Sequence, residues 1–168
     1  EPHRYQSQAW NLLSRSFQSG KVSGTYLLYG PDGTGQWPLA LAFASLLNCS
    51  DRRSDESSLT LIPCGKCPSC RAIAGFNSPH LLYAVPLKPK TERKEGRQDD
   101  IDAVTEVLAL QKEEPFRLHT HDKQLSIPIE LARDIQRRLS LKAEEGAVRV
   151  VVFFEMEKMR ADAADSLK

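Results

Sequence analysis

The segment YGPDGTGQWPLALAFASLLNC, residues 29–49, decides the fold, because it leads a glycine-rich loop into an apolar helix. It begins like the phosphate-loop pattern G-x-x-x-x-G-K-[ST]. The backbone requirements of that pattern are met by three glycines, Gly30, Gly33 and Gly35. Gln36 stands in the lysine position and Trp37 in the hydroxyl position. We therefore predict a loop that has the shape of a nucleotide site but lacks the side chains that bind Mg·ATP.

The residues on both sides of the loop give it a credible context. TYLLY at 25–29 is a short apolar run and predicts a buried strand, whereas PLALAFASLLN at 38–48 predicts an apolar helix. Pro38 suits the first turn of that helix. The order strand, loop, helix is the one in which helix N-terminal amides can face an anion.

The remainder of the chain alternates predicted helices and strands. Helices are predicted at 5–19, from Asp99 or Asp100 onward, and at 127–142; strands at 80–85 and 148–154; and loops at 50–63 and 86–98. In the last helix, Ile129, Ala132, Ile135 and Leu139 are predicted to face inward and Arg133, Arg137 and Arg138 outward. This alternation predicts an α/β fold with a largely parallel sheet flanked by helices.

Four cysteines form the second candidate site: Cys49, Cys64, Cys67 and Cys70, spaced C-x14-C-x2-C-x2-C. Such a cluster fits a tetrahedral zinc ion, and Gly65 can adopt the positive φ that a tight ligand turn needs. Two disulfides or unrelated thiols are the alternatives. Four thiolates would leave zinc no open coordination position, so we expect a structural role.

Composition narrows the class of protein. The 168 residues are 40% hydrophobic and 27% charged, with a formal net charge of +1, which is ordinary for a globular domain and gives no overall field for nucleic acid or lipid. No apolar run approaches the roughly 20 residues that span a bilayer. The first residues, EPHRYQSQAW, lack the pattern of a secretory signal. We expect a cytoplasmic protein with reduced thiols and no membrane partner.

The third predicted strand also departs from a working ATPase. An active site of this class would place a Mg²⁺-binding aspartate at the end of that strand, where this sequence has Phe154 followed by Glu155. The lysine, the hydroxyl and the carboxylate that serve Mg·ATP are therefore missing together. We interpret the loop as a vestigial nucleotide site, to which ATP is not expected to bind productively.

In this order, the motifs resemble the N-terminal AAA+ module of bacterial DNA polymerase III clamp-loader subunits. They are GPDGTG, the cysteine series, NSPHLL, and the segment from SIPIELARDIQRRL to MEKMRADAADSLK. Within the family, the chain is most similar to the delta-prime type, which typically carries a degraded loop. The resemblance covers residues 1–168 except 86–125, which look like an extra segment. It implies a P-loop NTPase fold of the RecA-like class, with a zinc knuckle at 49–70 inserted as a separate lobe.

The resemblance also implies a function and partners. A delta-prime subunit does not hydrolyse ATP; it belongs to a ring with gamma or tau and delta subunits that loads the sliding clamp onto primed DNA within the polymerase III holoenzyme. The sensor strand, the arginine finger, the lid and the collar are expected beyond Lys168. Because the strand expected between 25–29 and 148–154 would also lie there, we expect the isolated fragment to self-associate.

Two other functions remain open. An active ATPase of the gamma or tau type, or a P-loop kinase, would need a lysine and a Mg²⁺ ligand from elsewhere. A zinc-knuckle nucleic-acid adaptor would use the basic residues around the cysteines, Arg52, Arg53, Lys66 and Arg71, to contact phosphates. Few aromatic residues interleave with these charges, so base stacking is not indicated.

Overall fold

A computed structural model describes residues 2–31, 33–56, 58–88, 97–116, 125–142 and 144–165. The chain divides into two compact units, residues 1–81 and 82–168. We describe each unit by itself.

The first unit is a helical layer that carries a small hairpin. Its helices are α1 (Pro2–Tyr5), α2 (Ser7–Gln18), α3 (Gln36–Asn48) and α4 (Pro68–Ala74). Strands β1 (Arg53–Asp55) and β2 (Thr60–Ile62) pair antiparallel, with Ser54 opposite Leu61. The predicted helices at 5–19 and 38–48 are thus confirmed as α2 and α3, and Pro38 lies in the first turn of α3.

The amphipathic pattern of α2 explains how it packs. Trp10 and Leu13 are buried on one face, and Gly20, with φ of 68°, ends the helix in a left-handed turn. Ser14, fully buried on the same helix, donates its hydroxyl to the carbonyl of Leu61 at 3.0 Å and accepts the Leu61 N–H at 2.8 Å. This reciprocal pair anchors β2 against α2.

Two predictions for the first unit are wrong. Residues 25–29 form no strand. Among the described residues of this unit, the strands are β1 and β2, and they pair with each other and not with segment 25–29. Leu27 and Tyr29 are instead 79% and 94% exposed. Residues 50–63, predicted as a loop, contain the β1–β2 hairpin, which Ser14 helps to hold through β2.

The second unit combines a two-stranded sheet with three helices. Its elements are β3 (Leu81–Ala84), α5 (Arg97–Glu113), α6 (Ile129–Ser140), β4 (Val150–Phe153), a 3-10 turn (Met156–Lys158) and α7 (Ala161–Asp165). β3 and β4 are neighbours in a small parallel sheet. The core of the unit groups four buried residues, Leu82, Ala84, Ile127 and Ile135. Helices and a parallel pair of strands agree with the predicted α/β class.

Some details of this unit correct the sequence predictions. Helix α5 begins at Arg97, so Asp99 and Asp100 lie within it and do not cap it. Leu139 is 45% exposed, because only Ala132 and Ile135 of α6 reach the buried layer. Most of the predicted loop at 86–98, residues 89–96, lies outside the described part of the chain.

Arg133, Arg137 and Arg138 are exposed, as predicted. Asp134 forms an ion pair with Arg138 at 2.8 Å and a longer one with Arg137 at 3.5 Å.

In the described ranges, no helix has the length and apolar character required to cross a membrane.

Candidate metal centre and glycine-rich loop

The four cysteines converge in the first unit. Their sulfur atoms all lie within 4.8 Å of one another, and Cys67 Sγ is 3.9 Å from Cys49 Sγ. Four thiolates bound to zinc at about 2.3 Å define a tetrahedron with edges of about 3.8 Å. All four thiols are free, so the disulfide alternative is absent from this structure. The donor set can hold a tetrahedral metal ion.

Local backbone geometry assembles this cluster. Gly65, with φ of 71°, turns the chain between two ligands, and Pro68 starts α4 directly after Cys67. Backbone N–H groups point at the sulfur atoms: Cys64 donates to Cys49 at 3.3 Å, Lys66 and Cys67 donate to Cys64 at 3.3 and 3.2 Å, and Cys70 donates to Cys67 at 3.4 Å. Such donors stabilise thiolate charge, which favours metal binding.

The environment divides the thiols into two pairs. The N–H groups of Lys66 and Cys67 lower the pKa of Cys64. Burial acts to raise the pKa of Cys67, but hydrogen bonds from Cys70 and Ser50 outweigh it and lower the pKa to about 6.

Burial instead raises the pKa of Cys49 and of Cys70. A metal ion must therefore displace protons from these two thiols, so we expect metal affinity to increase with pH.

The glycine-rich loop keeps part of its predicted geometry. Gly33 and Gly35 have φ of 74° and 93°, in the left-handed region that side chains rarely adopt, and α3 begins immediately after at Gln36. A Cβ on Gly30 would lie 3.2 Å from Gln36 Nε2 and from Thr34 Oγ1. Asp32 lies outside the described residues. The loop therefore closes tightly around the Gln36 side chain.

The Gln36 amide serves the loop itself. Its Nε2 donates to the carbonyl oxygens of Gly30 and Pro31, both at 3.0 Å. Gln6, the residue before α2, donates its Nε2 to the carbonyl of Thr34. Two neutral amides thus bind three loop carbonyls, and neither offers the positive charge that a bound polyphosphate requires.

The groove next to the loop has the same neutral character. A depression of about 380 Å³ is lined by residues of α2, of segment 26–29 and of the loop, including Gln6, Leu12, Tyr29 and Gln36. Where the structure describes the chain, none of the lining residues is charged. This surface offers apolar contact and amide groups but no cation for a phosphate.

Trp37 has a packing role in place of the missing hydroxyl. It is buried, and its ring centroid lies 6.0 Å from that of Phe76, which follows α4. In the second unit, Phe154 is also buried and donates its N–H to the carbonyl of Ala84 at 2.8 Å, extending the strand pairing. Both residues that replace Mg²⁺ ligands contribute to the interior of their own unit.

Of the residues that support these sites, sequence reasoning considered Arg52 only as a phosphate contact and did not single out Gln6. Arg52 donates to the carbonyls of Leu46 and Leu47 at 2.9 and 3.0 Å, and its guanidinium lies 4.6 Å from the ring centroid of Phe17. It therefore binds the C-terminal end of α3, next to Cys49, and is engaged within the protein.

Arg53, Lys66 and Arg71 remain exposed, as the nucleic-acid alternative requires. Sequence reasoning missed Gln6. It lies 28 residues before the loop residue that it contacts, Thr34, so no local motif indicates its role.

Comparison with known proteins identifies the family. The sequence matches the family described as "DNA polymerase III, delta subunit" over residues 5–168. The chain belongs to this family.

Among curated relatives, it is 34% identical over 68 residues to DNA polymerase III subunit tau of Bacillus subtilis, a match that covers 40% of this chain and 11% of the relative. The tau subunit of Escherichia coli is 32% identical over 68 residues, covering 40% and 10%. Protein STICHEL-like 4 of Arabidopsis thaliana is 34% identical over 76 residues, covering 45% and 7%. The chain spans about a tenth or less of the length of these relatives.

Proposed function

We propose that this chain is the N-terminal AAA+ module of a delta-prime-like, non-hydrolysing clamp-loader subunit. In this role, it works with gamma or tau and delta subunits to place the sliding clamp on primed DNA. The observation that carries the proposal is the Gln36 amide, which occupies the lysine position and donates to the Gly30 and Pro31 carbonyls. Family membership supports the replication context, and the uncharged groove supports the absence of hydrolysis.

We further propose that the cysteine centre holds one structural Zn²⁺ and that residues 49–70 form the inserted lobe. Sulfur is a preferred ligand of zinc, and the close sulfur atoms with their N–H donors suit a closed four-thiolate site. When bound, zinc would supply a rigid link between the end of α3 and the start of α4 and no chemistry on a substrate. We expect metal analysis of untreated protein to find about one zinc per chain.

The second candidate is an active ATPase of the gamma or tau type, and the similarity to two tau subunits favours it. It would require that another cation replaces the missing lysine. Assays of ATP binding and hydrolysis distinguish the two candidates.

Our expectation is that the protein shows neither saturable MgATP binding nor steady ATP hydrolysis. The loop carbonyls are bound by Gln6 and Gln36, and no positive side chain in the described residues faces the groove. Equilibrium binding of a fluorescent ATP analogue and a phosphate-release assay measure both. Hydrolysis that Gln36→Ala abolishes and Gln18→Ala, an exposed glutamine change on α2, leaves intact would contradict the proposal and support the second candidate.

The clamp-loading role has its own test. Clamp loaders assembled with and without the complete subunit that contains this chain should differ strongly in loading of the sliding clamp on primed DNA. Gln36→Ala in that subunit should leave loading close to the wild-type level, because the loop does not bind nucleotide. Full loading in the absence of the subunit would show that it has another function.

The exposed segment 25–29 supports the expected self-association of the isolated chain. Its sequence TYLLY favours a strand, yet Leu27 and Tyr29 face solvent, and such unpaired apolar segments recruit other strands. Sedimentation equilibrium should show a concentration-dependent dimer that Leu27→Lys weakens. A monomer at every concentration would contradict this expectation without affecting the family assignment.

A further inference from the structure

Trp37 and Phe76 connect the glycine-rich loop to the cysteine centre. Trp37 is the second residue of α3, next to the loop, and Phe76 follows α4, which carries Cys70. The two ring centroids are 6.0 Å apart at an interplanar angle of 32°. α3 and α4 also contact each other directly. Trp37, which stands in the hydroxyl position of the phosphate-loop motif, therefore contacts the aromatic residue that follows the helix of the metal centre.

The backbone of Phe76 is held in an unusual conformation. Its φ is 58°, in the left-handed region, which costs a non-glycine residue stability. The turn is closed by hydrogen bonds from the Phe76 N–H to the Ile73 carbonyl at 3.1 Å and from the Asn77 N–H to the Ala72 carbonyl at 3.0 Å. The ring contact with Trp37 gives a physical reason for keeping an aromatic residue where glycine would be less strained.

Helix α4 is short, so it directly connects the cysteine centre to Phe76. It has seven residues, with Cys70 buried near its start and Ile73 almost completely buried one turn later. Isolated helices of this length are unstable in water, so α4 depends on its anchors. A metal ion bound by Cys67 and Cys70 would fix the first end, and Phe76 on Trp37 fixes the other.

We propose that the metal centre and the glycine-rich loop are energetically coupled through the Trp37–Phe76 contact, so that metal binding orders the start of α3. The coupling rests on the metal assignment proposed above. By thermodynamic linkage it acts in both directions: metal loss loosens the packing of Trp37, and loss of the ring contact weakens metal binding. The nucleotide-free loop then takes its order from a metal ion instead of from a bound phosphate.

The first test observes Trp37 directly. The protein contains two tryptophans, Trp10 and Trp37, so labelling with 5-fluorotryptophan gives two ¹⁹F signals, which Trp37→Phe assigns. Removal of zinc with a chelator should shift or broaden the Trp37 signal and leave that of Trp10 in place. An unchanged Trp37 signal after complete metal loss would overturn the coupling. So would collapse of both signals to the unfolded position, because it would show global unfolding in place of a local link.

The second test removes the contact without adding backbone strain. Phe76→Gly deletes the ring at a position whose φ suits glycine, and Leu59→Gly is the matched control, since Leu59 has φ of 53° but is 78% exposed. An aromatic pair of ordinary strength predicts that Phe76→Gly weakens zinc retention against a chelator about fivefold. Leu59→Gly should retain zinc like the wild type. Equal retention by all three proteins would refute the proposal.

Metal analysis separates this inference from the assignment on which it rests. A protein that contains no zinc when isolated defeats both the metal assignment and the coupling. A protein with one zinc per chain, in which Phe76→Gly has no effect on retention, defeats the coupling alone. Neither result bears on whether the chain hydrolyses ATP.

Discussion

Replacing Cys70 with serine should abolish tight zinc binding and destabilise the first unit by about 4 kcal/mol or more. A metal that binds only the folded state stabilises it by about 4 kcal/mol when its concentration is a thousand times the dissociation constant. Structural four-ligand zinc sites reach larger values. Cys70 is buried near the start of α4, so a serine there removes one of the four thiolate ligands. The backbone N–H of residue 70 that bonds Cys67 Sγ is kept in the variant, so the loss reports the missing ligand.

The change is measured by thermal unfolding followed by tryptophan fluorescence, because both tryptophans lie in the first unit. Ala74→Ser adds the same hydroxyl at an exposed position of the same helix and should change the melting temperature little. Chelator treatment of the wild type should reproduce the Cys70→Ser transition. If Cys70→Ser retains one zinc per chain and melts with the wild type, the metal centre is assigned wrongly.

Ile127→Ala should destabilise the second unit by about 3 kcal/mol. The Ile127 side chain is completely buried in the cluster with Leu82, Ala84 and Ile135, and truncation of such a residue to alanine costs about 2 to 5 kcal/mol. Its backbone hydrogen bond to the Lys158 carbonyl, at 3.1 Å, does not involve the side chain and can remain. The loss therefore reports packing and not strand pairing.

Hydrogen exchange of the amides in α6 and β4 measures this effect, because the second unit contains no tryptophan. A loss of about 3 kcal/mol corresponds to roughly a hundredfold faster exchange of amides that open only with the unit. Ile101→Ala is the control, since Ile101 lies on α5 of the same unit and is 45% exposed. Equal protection in the two variants would show that the buried cluster is not the stabilising core.

Local patterns located the helices, but they predicted a strand at 25–29 that does not form and missed the β1–β2 hairpin. Trp10 and Leu13 recur at helical spacing, and Gly20 follows the helix that they define, so α2 could be located within a few residues. TYLLY at 25–29 has strand composition, but a strand exists only when a second chain segment bonds to it. The hairpin within 50–63 was missed for the converse reason, because its β2 strand is held by Ser14 on a distant helix.

For the candidate sites, the sequence by itself determined which chemical groups are present. The spacing of four cysteines indicated a metal-binding cluster, and Gln36, Trp37 and Phe154 showed which groups for Mg·ATP are missing. These inferences need only residue type and short-range geometry. They could be made without coordinates because ligand turns and loop glycines act within a few residues.

Only the tertiary structure decided what the substituted residues do. It brings the Gln6 amide to the carbonyl of Thr34, directs Gln36 onto Gly30 and Pro31, and packs Trp37 against Phe76. Each of the contacts made by Gln6 and Trp37 joins segments about thirty or more residues apart. Such contacts depend on the packing of whole helices, which no local pattern encodes, and that is why they became visible only in the folded chain.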